Sequence, residues 1–420
     1  MGSRIIVEGF KSIGRRAEVE VRPLTLLAGA NSSGKSSLMQ AILLLKQTLD
    51  APFDPGALLL NGPNVKFTSY DQLLHMGRAR ADQFTIGLYY DDGNGFESHF
   101  RRASTSKKFE PESCQFSENG DAWSLHRDMD PSTLLGLKTS DLFLRSNVRY
   151  IPEIVRHRFT LEVLMKAESE GHAFPFAGVD LSPIDAIIHL PGLRGNPERT
   201  YPLAATGPGF PGTFERYTAS LIASWAANDT EKLSTLGRNL EKLGLTWRVE
   251  ANNVDDASVE LRVGRLPRPT PGDKNDMVSI ADVGFGVSQA LPVLVALLEA
   301  RPGQFVFIEQ PEIHLHPRAQ TALAEILADA AKRGVKLVVE THSSLLLLAI
   351  QTLVAEGDLD PDIVKLHWFT RDQESGSTQI TSADLDDAGR FGDWPEDFDN
   401  VALEAQSKYL DAVEAAVAKE

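Results

Sequence analysis

Gly29-Ala30-Asn31-Ser32-Ser33-Gly34-Lys35-Ser36 is the stretch on which the fold turns. It follows an apolar run, Leu24 to Ala28, and precedes a segment in which Leu38, Ile42, Leu45 and Leu49 recur at helical spacing, with Leu43 and Leu44 widening the stripe. The pattern G-x-x-x-x-G-K-[ST] therefore sits between a predicted strand and a helix predicted over Lys35 to about Leu49. Its glycines let the backbone curl until several N–H groups point inward, and the helix N-terminus adds its positive dipole, so the loop is a cradle for phosphate. Gly29, Ala30, Asn31, Ser32, Ser33, Gly34, Lys35, Ser36 and Ser37 are the cradle residues. Lys35 is expected to reach the β- and γ-phosphates of a nucleotide, and Ser36 to place its hydroxyl on Mg²⁺.

Such a loop needs a second strand carrying a carboxylate for the metal, and Phe305-Val306-Phe307-Ile308-Glu309 is an apolar run ending in an acid. The surrounding pattern is that of an α/β core. A helix through Leu291 to Ala300 ends at Pro302-Gly303; Pro317 opens another, with Leu323, Ile326, Leu327 and Ala330 on one face; Gly334 stops it, and Val335 to Glu340 is the next strand. Because Ser36 and Glu309 are to share one metal ion, the N- and C-terminal thirds are expected to form one sheet with their two strands as near neighbours.

The expected organisation is an N-terminal part of the head over 1–95, an inserted mixed α+β lobe over 96–275, a C-terminal part of the head over 276–375, and an acidic tail with a helix (Val401 to Lys419) over 376–420. Within the middle, Phe84 to Tyr90 reads as a strand, Ile154 to Ser169 as helical, Leu190 to Gly212 as a Gly/Pro-rich loop, Trp247 to Val263 as a strand pair and Leu266 to Asp276 as a linker.

In 420 residues no window approaches the roughly eighteen apolar residues of a membrane span, and Met1 to Ser12 lacks a signal-peptide core, so a cytoplasmic chain without membrane contact is expected. The single cysteine, Cys114, excludes an intrachain disulfide or a thiolate zinc cluster. The net charge of −16 argues against general nucleic-acid affinity, yet between Glu356 and Glu420 there are 17 acidic and 5 basic residues, so most of the surplus is C-terminal. Arg101, Arg102, Lys107, Lys108, Arg145, Arg149, Arg156 and Arg158 are the densest basic groups, and a solvated surface is the expected setting of each.

Gly9-Phe10-Lys11-Ser12, the loop Gly29 to Ser37, Glu309-Gln310-Pro311-Glu312-Ile313-His314-Leu315-His316-Pro317 and Glu340-Thr341-His342-Ser343 resemble the RecF/SMC-type branch of ABC ATPases. The compact OLD-like and Septu-like bacterial defence ATPases are the nearer match, and Gly392-Asp393-Trp394-Pro395 is similar to some of them. The middle is covered only by Leu193-Arg194 and Pro197-Glu198-Arg199. The resemblance implies an α/β P-loop NTPase of the ABC-ATPase head type that binds ATP with Mg²⁺ and forms a homodimer with composite ATP sites. It makes Val283 to Gln289 a degenerate signature segment whose Gly286, Ser288 and Gln289 face the other copy's nucleotide. Glu309 then joins Ser36 at the metal, His342 becomes the switch histidine, and Gln72 a bridging glutamine, with Asp71 competing for that role.

The sequence departs from that pattern at Gln310, where the family has the glutamate that deprotonates water, and an amide cannot accept that proton. Either Glu312 serves instead, or hydrolysis is slow. His314, His316 and Glu312 have metal-ligand spacing, but the resemblance puts them at the dimer contact, and zinc is not expected. Only 78 residues follow His342, so no nuclease domain of the OLD type is expected, and a nuclease, if one exists, is in another chain. Asp384-Leu385-Asp386-Asp387 reads as an acidic turn. Two functions follow: an ATPase whose dimerisation controls DNA or a partner effector in anti-phage defence or DNA repair, or an ATP-sensing scaffold that restrains a nuclease or toxin.

Overall fold

The computed structural model describes residues 2–76, 82–103, 107–130, 133, 150–167, 173–177, 179–205, 207, 209–266 and 276–392. Its strands are β1 (Ser3–Glu8), β2 (Ala17–Val21), β3 (Leu24–Gly29), β4 (Gln83–Tyr89), β5 (Gly95–Arg102), β6 (Phe109–Glu118), β7 (Asp121–His126), β8 (Tyr150–His157), β9 (Thr160–Ala167) and β10 (Ala173–Ala177). They continue as β11 (Ile188–Leu190), β12 (Tyr201–Pro202), β13 (Val249–Asn253), β14 (Ser258–Gly264), β15 (Met277–Ser279), β16 (Phe305–Glu309), β17 (Lys336–Glu340), β18 (Val364–Arg371) and β19 (Thr378–Ala383).

The central sheet has the order β11-β16-β17-β3-β18-β19, parallel except for the edge strand β19. Its inner strands β3, β16 and β17 are largely apolar runs because both faces are covered. Leu24, Leu26, Val306, Ile308, Leu337, Val339 and Leu366 pack on one side with the helices Thr218–Asn228, Thr230–Lys242, Phe285–Glu299, Pro317–Lys332 and Ser344–Ala355. Leu27, Phe305, Phe307, Val338 and Phe369 face the other way, onto the helix Lys35–Asp50. That helix is sandwiched in turn by an antiparallel sheet of order β2-β1-β4-β5-β6-β7, which gives it Ile5, Val7, Ile86 and Leu88. Being covered on two sides, the helix buries twelve of its sixteen residues.

The structure redraws the expected boundaries. The division at 95 cuts through the β4–β5 hairpin, which is paired from Gln83↔Arg101 to Tyr89↔Gly95. The division at 375 falls inside the β18–β19 hairpin. The middle region is not set apart either. Its strand β11 forms the edge of the central sheet beside β16, and its helices Thr218–Asn228 and Thr230–Lys242 share a core with the helix Phe285–Glu299. A three-residue strand carries too little periodicity to be read locally. The segment expected to be helical from Ile154 is the hairpin β8–β9, turned at Arg158 with φ +54°. There Leu161, Val163 and Met165 alternate inward, a period of two that outweighs helix propensity.

Among the basic residues, Arg101 pairs with Glu112, Arg102 with Asp71, and Arg156 with Asp54. Asp384 pairs with Lys365 and Arg22, and Asp386 accepts from the amides of Ala388 and Arg390, an acidic turn. Arg145, Arg149, Asp393-Trp394-Pro395 and the helix expected over Val401 to Lys419 lie outside the described residues. Among the described residues no helix is long and apolar enough to cross a membrane.

His367 joins the two large sheets. Its Nε2 donates to the Glu20 carbonyl at 2.7 Å and its Nδ1 accepts from the Ser382 hydroxyl at 2.8 Å. Burial pushes its pKa down to about 4, with Lys365 and Arg22 adding to the effect and the Glu20 carbonyl opposing it. The unfolded chain, with a histidine pKa near 6.5, binds the proton first, so this stabilisation is full above about pH 6.5 and is lost as pH falls toward 4. The shift corresponds to roughly 3 kcal/mol. Urea unfolding of wild type should show the midpoint falling steeply between pH 6.5 and 5. His367→Gln should be less stable at pH 7 with a shallower pH slope; an unchanged slope refutes the assignment.

Candidate functional site

β3 ends at Gly29, with φ +139°, where a Cβ atom would lie 2.2 Å from the Phe369 carbonyl oxygen on β18. Only glycine lets the chain leave the sheet there. Ser32 (φ +61°) and Gly34 (φ +110°) complete the curl, and the helix Lys35–Asp50 starts directly after it. Lys35 is buried and folds back on its own loop, its Nζ donating to the Gly29 and Ala30 carbonyls at 2.9 and 2.8 Å. Burial pushes the ammonium pKa down, while Glu340 and Glu312 push it up.

The loop is held from outside by hydroxyl and guanidinium contacts. Thr378 donates to the Ser33 carbonyl at 2.8 Å and shares a hydrogen bond with the Ser12 hydroxyl, also at 2.8 Å, the Ser12 and Ser37 hydroxyls are hydrogen-bonded at 3.2 Å, and Arg371 donates to the Ser32 carbonyl at 3.0 Å. Around Asn31 to Ser37 opens a cleft of about 810 Å³, walled by Lys11, Asp71, Gln72, His75, Gln310, Glu340, His342 and Arg371. That volume is in the range of ligand sites.

Glu340, at the end of β17, is the carboxylate on the loop: Ser36 Oγ donates to its two oxygens at 2.9 and 3.1 Å. The strands leading to Ser36 and Glu309 lie in one sheet with β17 between them, Glu309 standing opposite Glu340 and Glu340 opposite Leu27. Burial raises the Glu340 pKa; Ser36 and Lys35 oppose this, and Glu309 and Glu312 add to it. The sequence signal for Glu340 was present, because Val338-Val339-Glu340 repeats the apolar-run-then-acid pattern of Ile308-Glu309.

Glu309 is engaged elsewhere. Its Oε2 accepts from the Gly192 amide at 3.1 Å and its Oε1 from His189 Nε2 at 3.3 Å. His189 is buried on β11, and its Nδ1 accepts from Asn64 Nδ2 at 3.0 Å, which leaves the ring proton on Nε2. Burial pushes the Glu309 carboxyl up, but the His189 contact, the Gly192 amide and Arg194 outweigh it and hold it below the usual range. Arg194, almost fully buried, donates to the Glu309 carbonyl at 2.7 Å; burial pushes its pKa down to about 10. His189 and Arg194 had no local motif to mark their contact with Glu309.

Gln310 lines the cleft with φ +44°, a left-handed conformation costly for a residue with a side chain, and its amide donates to the Glu340 carbonyl at 2.8 Å. Glu312 is buried behind the cleft wall: its Oε1 accepts from the Thr341 hydroxyl at 2.8 Å and the His342 backbone amide at 2.7 Å, and its Oε2 has no hydrogen-bond partner among the described residues. His342 is half-buried on the cleft, its pKa pushed down by burial and by Lys35, with the Gly29 backbone opposing. His316 caps the helix Pro317–Lys332, accepting from the Arg318 amide, and the His314 ring centre lies 6.0 Å from that of Phe285. Among the described residues no group of three His, Cys, Asp or Glu side chains is arranged to hold a metal ion.

Gln72, on the cleft rim, is exposed and bonds to Thr68 through both ends of its amide. Gly286, Ser288 and Gln289 lie in the first turn of the helix Phe285–Glu299 and are not part of their own chain's cleft. Ser288 Oγ donates to the Phe285 carbonyl, and Gln289 bonds the Arg194 amide and the Gly195 carbonyl.

Residues 1–147 match the family described as "AAA ATPase domain", and residues 264–349 the family described as "AAA domain, putative AbiEii toxin, Type IV TA system". No curated protein sequence matches the chain. Among solved structures, an SMC head bound to the C-winged helix domain of ScpA is similar over 92% of this chain and 98% of its own, with TM-score 0.51 and 14% identity. The SMC head domain from Thermotoga maritima covers 91% and 98% (TM-score 0.41, 13% identity). An Smc head from Pyrococcus furiosus, with an extended coiled coil and bound to the C-terminal domain of ScpA, covers 98% of both chains (TM-score 0.47, 12% identity). The first of these likenesses speaks for the fold. One matched family spans Lys35 and Ser36, the other spans Glu309, Glu340 and His342, and together with the likeness to the first SMC head they give the chain the fold of a P-loop ABC-ATPase head.

Proposed function

We propose that the cleft binds ATP with Mg²⁺ and hydrolyses it slowly, and that nucleotide closes two copies of the chain into a homodimer that controls DNA or a partner effector in anti-phage defence or DNA repair. The observation that carries this reading is the convergence of Lys35, Ser36 and Glu340 in one cleft. Lys35 exchanges the Gly29 and Ala30 carbonyls for phosphate oxygens, and the loop amides and helix N-terminus hold the remaining phosphate charge. Ser36 and the strand-end acids offer the oxygen donors that Mg²⁺ prefers, few in number because the phosphates supply the rest. When bound, the metal neutralises charge on the phosphoryl oxygens.

Gln310 orients water by hydrogen bonding and accepts no proton from it. Glu312 acts as a positioning residue: its Oε1 holds the Thr341–His342 turn, which keeps His342 on the cleft. In the closed dimer Gly286, Ser288 and Gln289 of one copy face the other copy's phosphates. Phe285 and Leu193, both exposed beside that helix start, supply apolar area for the contact. The SMC head similar to this chain carries a domain of ScpA, which supports a partner protein here. A second reading, an ATP-sensing scaffold that restrains a nuclease or toxin, is favoured by one observation, the amide at position 310.

Lys35→Ala should weaken ATP binding at least about tenfold, since a hydrogen bond to a charged group contributes about 1.5–3 kcal/mol. It should leave the fold intact, because Lys35 bonds only its own loop; unchanged affinity in a calorimetric titration refutes the site. Light scattering should give monomer mass without nucleotide and dimer mass with ATP or a non-hydrolysable analogue, and monomer mass in all three states would sink the dimer. Gln310→Glu should raise steady-state phosphate release several-fold. If release does not rise, the amide is no brake, and the argument for slow hydrolysis fails.

A further inference from the structure

We propose that Glu340, rather than Glu309, is the carboxylate that serves the metal side of the nucleotide site, accepting the Ser36 hydroxyl proton in a hydrogen bond so that the serine lone pairs face Mg²⁺. The inference rests on the ATP–Mg²⁺ reading of the same cleft.

Three observations carry it. The first is strand order. β17 is the neighbour of β3 and β16 is one strand further away, and Glu340, not Glu309, is among the residues that line the cleft around the P-loop. The second is the hydrogen bond itself. A serine hydroxyl that ligates a cation does so through oxygen and must give its proton to an acceptor, and Ser36 already gives it to Glu340 at 2.9 Å. Glu340 also lines the cleft, together with Lys35 and Ser36.

The third observation is where Glu309 spends its oxygens. One accepts from the Gly192 amide and the other from His189, whose ring is fixed in the donating tautomer by Asn64. The Glu309 carbonyl accepts from Arg194, whose own amide donates to Gln289 Oε1 at 3.3 Å. Glu309 is thus a post for the 191–195 loop, which links β16 to the helix Phe285–Glu299. Glu340 orients the metal-binding hydroxyl, and Glu309 ties the strand to the neighbouring helix.

The test is ATP binding with Mg²⁺ and with the metal chelated, measured by calorimetry on wild type, Glu340→Gln and Glu309→Gln. A residue that orients a metal ligand typically contributes about 10–100-fold in metal affinity. The tightening of ATP by Mg²⁺ should therefore fall at least about tenfold in Glu340→Gln and stay within about twofold in Glu309→Gln. Metal-free ATP affinity should change little in either. Mn²⁺ in place of Mg²⁺, followed by electron paramagnetic resonance in the ADP complex, should show the same order without any turnover. If Glu340→Gln does not fold, Ser36→Ala serves in its place, since removing the hydroxyl removes the group that Glu340 is said to orient. Full Mg²⁺ tightening in Glu340→Gln or in Ser36→Ala, or its loss in Glu309→Gln alone, overturns the inference and leaves the ATP site standing. Wild type that binds no ATP overturns the site itself.

Discussion

The hydrogen bond from Ser36 to Glu340 ties the first turn of the P-loop helix to the end of the neighbouring strand, and most of the architecture serves to make that contact possible. For the two residues to meet, β3 and β17 must be parallel neighbours with Glu340 level with Leu27, and Gly29 must turn away where any side chain would strike β18. The helix that begins at Lys35 must then be clamped, which the antiparallel sheet does from one side and the central sheet from the other. A loop that carries a buried ammonium and a strained Ser32 is stable only when its surroundings leave it no alternative.

Charge in this region is largely buried, and most of it is hydrogen-bonded. Lys35 bonds two carbonyls, Glu309 a histidine and an amide, Arg194 a carbonyl, and Glu312 a hydroxyl and an amide. These contacts form a continuous polar path from the P-loop, through the ends of β17 and β16, to the start of the helix Phe285–Glu299. Arg194 is the link at its far end, joining Glu309 to Gln289 with its guanidinium almost wholly out of water.

Much of this was legible in the sequence wherever the signal is local. The glycines and lysine of Gly29 to Ser36 announce a phosphate loop because backbone freedom and helix polarity are properties of consecutive residues. The apolar runs ending in Glu309 and Glu340, and the helices with a 3.6 period, are equally local. Reading failed where pairing partners lie far apart: β11 is only Ile188-His189-Leu190, and nothing within those three residues says that they join the edge of the central sheet. The β8–β9 hairpin reads as a helix in sequence because its apolar residues fit either period over a short span.

The sequence by itself determined that this chain builds an α/β P-loop head, that its glycine-rich loop stands between an apolar strand and a helix, and that an amide follows Glu309. Only the tertiary structure decided which acid touches Ser36. Two strands, β16 and β17, end in glutamate with the same local pattern, and their order beside β3 depends on how helices and sheets stack on both faces, a non-local choice made by burial. It also decided what occupies Glu309, because His189 lies 120 residues before it and Gly192 lies 117, and only the closed sheet brings all three together.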